Sequence, residues 1–340
     1  MKKLINTLSA TALALALAGC PDDGKPKTNG GDDDKDRSVW GANKEVYVVG
    51  EEARLWKNGA QQLLSNHSTA DARSVFVADG NVYAAGVDMP GGSSHAVVWS
   101  KGSMTRLSNG TDDADAESIF VADGKVYVAG SVRNSLWEST ATLWVDGAAQ
   151  PLASGSQGTY ASSVYVSGDD VYVAGGASFG ERAILWKNGV AQTLSSGGWA
   201  YARTVHVSGG KTYVTGYDAA RGGAVLWVDG VVQDVGSFWP VSVFVSGGDV
   251  YLGGYAPGGA EGFAAVWKNG TVTNYSDGKG EANVTAFYVS GSDVYLVGYE
   301  LDRYDCAVPT VWINGRSTQR LAGENSDIIP WGVYVVDKGR

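Results

Sequence analysis

Asp170-Val171-Tyr172-Val173-Ala174-Gly175, followed by Ala183-Ile184-Leu185-Trp186-Lys187-Asn188-Gly189, is the stretch whose reading decides the fold. Both runs are too short for helices and rich in β-branched and aromatic residues, so each reads as a strand. Asn188-Gly189 then favours the type I′ turn, whose twist matches that of the strands it joins. Working outward, the same pair recurs. Val-Tyr with a Gly three residues on stands at Val46-Tyr47, Val82-Tyr83, Val126-Tyr127, Val171-Tyr172, Val250-Tyr251 and Val294-Tyr295, with Thr212-Tyr213 as the one variant. Each is followed by a Trp three residues before a Gly: Trp56, Trp99, Trp144, Trp186, Trp227, Trp267 and Trp312. A period of 40-odd residues, seven times over, describes a repeat array.

Turn chemistry divides each unit into four strands. In unit two these are Ser74-Val75-Phe76-Val77, Asn81–Gly86, His95–Trp99 and Met104–Leu107, with Asp79-Gly80 and Lys101-Gly102 between the hairpin partners. A four-stranded sheet repeated at this period is a propeller blade, and no blade buries both its faces alone. The expected fold is therefore all-β: a seven-bladed β-propeller of four-stranded antiparallel blades over residues 38–340. The repeated Trp and Tyr are expected in its core. The C-terminal Trp331-Gly332-Val333-Tyr334-Val335 matches Ser163-Val164-Tyr165-Val166 in spacing and is expected to complete the first blade. Ser38-Val39-Trp40 is the competitor for that place, ranked second because Gly41 stands where a Val is expected. No helical apolar stripe persists past the first twenty residues, so almost no α-helix is expected.

Residues 1–19 have Lys2, Lys3, an Ala/Leu run and small residues, the parts of a secretory signal. Leu17-Ala18-Gly19-Cys20 resembles the lipobox of bacterial lipoprotein precursors. That resemblance implies cleavage before Cys20, a lipid such as palmitate on it, and a place in the bacterial cell envelope, the outer membrane before the inner. Residues 20–37 then form an acidic, flexible tether reaching about 20–25 Å. Losing residues 1–19 removes two lysines and no acid, so the net charge of −10 becomes −12. So acidic a chain is not expected to bind nucleic acid. With Cys20 lipidated, Cys306 is expected to have no partner in the chain.

Gly-Asp-Asp-Val171-Tyr172-Val173-Ala174-Gly175-Gly176 resembles the core of a kelch repeat, although other units replace the second Gly with Tyr217, Tyr255, Tyr299 or Val87. The array as a whole also resembles bacterial propeller lipoproteins with repeated Val-Tyr-Val-Ala-Gly and Trp-Lys-Asn-Gly strings. Neither resemblance implies a defined activity.

Propeller connectivity puts the short hairpins on one face and the long, variable loops on the other, and loops on a rigid scaffold are where binding resides. On that face the residues just before each inner strand should ring the channel mouth: Arg73, Glu117, Ser162, Arg203, Val241, Thr285 and Trp331. Two positions earlier stand Asp71, Asp115, Tyr160, Tyr201 and Trp239. From these, Arg73, Glu117, Tyr160, Tyr201, Arg203 and Trp239 are the expected ligand contacts, all but Tyr160 placed along one arc as the chief ones. Asp112-Asp113-Ala114-Asp115-Ala116-Glu117 is acidic but lacks calcium-loop spacing, and reads as a solvated loop. His67, His95 and His206 show no metal-ligand pattern, and His206 occupies the position of Phe76, Phe120 and Tyr165. There is no nucleophile elbow and no phosphate loop. The expectation is thus a monomeric binding module without cofactor or metal, not an enzyme, recognising an envelope or extracellular protein or a glycan. A structural subunit of an envelope assembly, and a carbohydrate-active or lactone-hydrolysing enzyme, are the alternatives.

Overall fold

The computed structural model describes residues 39–41, 43–108, 110, 112–152, 158–177, 181–195, 197–258, 262–278, 281–302, 306–315, 317–321 and 328–339. Cys20, the signal segment and the tether lie outside them. The described chain forms seven four-stranded antiparallel sheets, each a blade. Blade 4 is typical: Tyr160–Ser167, Asp170–Ala177, Arg182–Lys187 and Val190–Thr193, in that order from the axis outward. The inner strands of the other blades are Ala70–Ala78, Asp113–Ala122, Ala200–Ser208, Trp239–Ser246, Ala282–Ser290 and, for blade 1, Pro330–Asp337. Pro330–Asp337 pairs with Lys44–Gly50, so the C-terminus closes the ring. Trp40, the competitor, is instead buried among blade 7 and blade 1 side chains, where its carbonyl accepts from the Tyr295 hydroxyl at 2.8 Å.

The apolar core is divided among the junctions, one cluster between each pair of neighbouring blades, including blades 7 and 1. Six of the seven repeated tryptophans are buried, and each fills the junction with the preceding blade. The turn motif has a second purpose beyond torsion. Asn58, Asp146, Asn188, Asp229, Asn269 and Asn314 all have positive φ, as type I′ turns require. Each also accepts, through its side-chain oxygen, a backbone N–H near the start of its blade's second strand at 2.8–2.9 Å.

At the centre, one ring from each blade meets the next: Phe76, Phe120, Tyr165, His206, Phe244, Tyr288 and Tyr334 form a closed circuit with centroids 4.6–5.0 Å apart. Burial lowers the His206 pKa to about 4, so it joins this girdle as a neutral ring. Above it, Ser74, Ser118, Ser163 and Thr204 accept from the backbone of the following blade at 3.2–3.3 Å. Blade 6 has Ser242 at that position, and blades 7 and 1 have Ala286 and Gly332; between blades 7 and 1, Thr285 donates to the Pro330 carbonyl instead.

Candidate functional site

The inner strands begin up to five residues earlier than their apolar pattern suggests, and each contains a β-bulge. The pairing register skips one residue in every blade: Arg73, Glu117, Ser162, Arg203, Val241, Thr285 and Trp331. These are the seven residues expected to ring the channel mouth. A bulge re-aims a side chain at a fixed place in a strand; six of the seven re-aimed side chains are at least partly exposed, while Val241 is buried in the junction of blades 6 and 7. The repeated glycine of the second strand makes room for the bulge. A Cβ on Gly50, Gly86, Gly130, Gly175, Gly216, Gly254 or Gly298 would lie 1.7–2.5 Å from a carbonyl oxygen beside the bulge.

The six expected contacts separate into two groups. On blades 2 and 3, Arg73 is ion-paired with Glu117 across the junction, and its guanidinium lies 3.7 Å from Asp115. Asp115 also accepts from the Ser94 hydroxyl at 2.8 Å and lies 3.5 Å from Arg133. Asp113 accepts from the Ser94 backbone, and Asp71 from the Glu52 backbone. The acidic stretch is therefore not the solvated loop expected of it: from Asp113 onward it is strand, and Asp113, Asp115 and Glu117 have protein partners. Among the described residues no three His, Cys, Asp or Glu side chains are grouped to hold a metal ion. Burial raises the pKa of Asp71 and of Glu117, and in both cases the positive charge of Arg73 works against the shift.

On blades 4 to 7 the mouth is aromatic. Tyr201 stacks on Tyr217 at 5.8 Å and 13°, and Tyr217 on Trp239 at 5.9 Å and 29°. Tyr217 and Tyr255 face Tyr201 and Trp239 as cross-strand partners. Trp239 remains 49 % exposed. Arg203 is exposed beside this row and has no carboxylate partner among the described residues; its charge acts on the phenols of Tyr201 and Tyr255. Burial pushes the Tyr255 pKa up to about 12, and its hydroxyl exchanges hydrogen bonds with Val284 of blade 7. Tyr160 differs from expectation. Its hydroxyl is buried over Gly176 without a hydrogen-bond partner, so it belongs to the wall. A cavity of about 760 Å³ lies against Trp239, lined by Arg221, Val232, Asp234 and Phe238 among others. Tyr217, Tyr255 and Tyr299 were not among the expected contacts. The signal was present, since all three replace the Gly that follows the bulge-facing glycine in blade 4.

Cys306 was expected to stand alone, and this is corrected: it is buried and is not a free thiol. The chain's one other cysteine is Cys20.

No family model matches the sequence, and no curated protein matches it. Solved structures do resemble the fold. The acylaminoacyl peptidase of Pyrococcus horikoshii is 14 % identical with a TM-score of 0.50, over 83 % of this chain and 51 % of that one. A puromycin-hydrolyzing peptidase of Mycobacterium tuberculosis is 12 % identical with a TM-score of 0.51, over 84 % and 53 %. A GH74 enzyme of Niastella koreensis is 13 % identical with a TM-score of 0.48, over 82 % and 47 %. The chain spans about half the length of each. The expectation that it is not an enzyme is corrected by the two peptidases, within which a propeller of this fold occurs. At such identity the likeness shows the fold alone.

Proposed function

We propose that this propeller binds a glycan or protein ligand at the loop-face mouth of its channel, over blades 4 to 7, while a lipid on Cys20 holds it at the bacterial envelope. The observation that carries the reading is the row Tyr201–Tyr217–Trp239 beside Arg203, which stands on a bulge and has no carboxylate partner among the described residues. Rigid rings supply contact area at small entropic cost, and bulges hold them in register.

The full chain screened against an array of envelope and extracellular glycans, and by pull-down for protein ligands, supplies the ligand. Tyr201→Ala and Trp239→Ala are then expected to weaken binding at least about tenfold, close to 1.4 kcal/mol, with the melting temperature nearly unchanged. Lys187→Ala and Lys268→Ala, whose ion pairs with Asp170 and Asp249 lie on the hairpin face, should be silent. Loss of binding in the lysine variants alone would place the site on the wrong face. Turnover is part of the same question, since the carboxyl groups of Asp71, Asp115 and Glu117 gather around Arg73 on blades 2 and 3. Reading the array for released reducing ends as well as for binding reports it.

Lipid on Cys20 and a disulfide from it to Cys306 exclude each other, because one sulfur cannot make both bonds. Intact-mass analysis of the mature chain is expected to show cleavage before residue 20 and a mass increase for the lipid. Cys20→Ser should release the protein from membranes. A mature chain two hydrogens lighter, without added lipid, sinks the anchor.

A further inference from the structure

The geometry points to a saccharide bearing a single carboxylate as the ligand of this mouth. The inference rests on the binding reading above and narrows it to a chemical class. Blades 2 and 3 lie across the axis from blades 5 and 6, so the mouth has two unlike poles. At the first pole the cations Arg73 and Arg133 are both held by carboxylates. With three carboxylates, Asp71, Asp115 and Glu117, around two cations, this pole carries a net negative charge. At the second pole Arg203 is exposed with no carboxylate partner among the described residues, in a chain of net charge −10.

Each pole selects one property of the ligand. A guanidinium offers parallel N–H donors that match a carboxylate, so Arg203 selects an anion at the aromatic end. The row Tyr201–Tyr217–Trp239 offers ring faces, which suit the C–H face of a sugar. Ionised carboxylates only accept hydrogen bonds, so the opposite pole needs donors, and sugar hydroxyls are donors. A flat aromatic acid would satisfy Arg203 and the rings but bring nothing to Asp71, Asp115 or Glu117. A second carboxylate on the ligand would face those same acids and be repelled. One acidic residue in an otherwise neutral glycan fits both poles, and a long polyuronate does not.

The test uses calorimetry on the full chain in detergent, with three probes: a disaccharide of one glucuronic acid and one neutral hexose, its methyl ester, and trigalacturonate. The free acid is expected to bind at least tenfold more tightly than the ester, and also more tightly than trigalacturonate. Arg203→Gln should bring the acid down to the level of the ester and leave the ester unchanged. Trp239→Ala should weaken both. Equal affinity for acid and ester, or no binding of either, overturns the inference. An array ligand that loses tenfold with Trp239→Ala but ignores Arg203→Gln overturns the charge argument and leaves the binding site standing. A ligand indifferent to both variants removes the site as well.

Discussion

A chain lacking residues 330–340 should melt far below the parent or fail to fold, whereas trimming residues 21–36 should leave the melting temperature where it was. Pro330–Asp337 is the inner strand of blade 1, paired along its length with Lys44–Gly50. Without it Val333 and Val335 leave the junction with blade 7, Tyr334 leaves the central girdle, and two strand edges open. The buried side chains alone are worth on the order of 5 kcal/mol, a large part of the stability of an ordinary domain. The N-terminal trim must stop short of Trp40, which is 3 % exposed and belongs to the same junction. Equal melting of both truncated chains and the parent would show that the strand does not close the ring.

Gly216→Ala should cost about 3 kcal/mol or more and abolish ligand binding in whatever molecules still fold. Its Cβ would stand 1.9 Å from the Tyr201 carbonyl and 2.9 Å from the Trp227 ring. The torsion at this glycine is not the difficulty. The bulge carrying Arg203 would have to move, and Tyr201 with it. Gly189 makes the contrast: its φ is +78° and nothing lies within 4 Å of an added Cβ, so Gly189→Ala is strained by its torsion alone, at about 1 kcal/mol. Thermal melting of the pair, with binding measured on both, separates the two kinds of glycine. A Gly216→Ala chain that binds and melts like the parent would show that the bulge is not held by this contact.

Much of this was legible before any coordinates, because repetition makes local signals redundant. Val171-Tyr172 and Asn188-Gly189 would be weak evidence once, but seven copies define the blade and the spare copy at residues 331–335 defines its closure. The bulges were not legible. An extra residue in a strand leaves no mark in an apolar pattern, so Ala70–Arg73 read as loop and is strand. The pairing of Arg73 with Glu117 was hidden for another reason: the two are 44 positions apart and meet only because consecutive blades lie side by side. Tyr217, Tyr255 and Tyr299 were seen only as departures from a repeat, although departure from what the fold requires is what marks a site.

The girdle of Phe76, Phe120, Tyr165, His206, Phe244, Tyr288 and Tyr334 surrounds the axis below the mouth. Burial raises the pKa of the Tyr165, Tyr288 and Tyr334 phenols, so they keep their protons at neutral pH, and His206 is neutral as well. A solute that comes in from the loops therefore passes from charged groups at the mouth to a collar of uncharged rings. Selection by charge is left to the residues above the girdle.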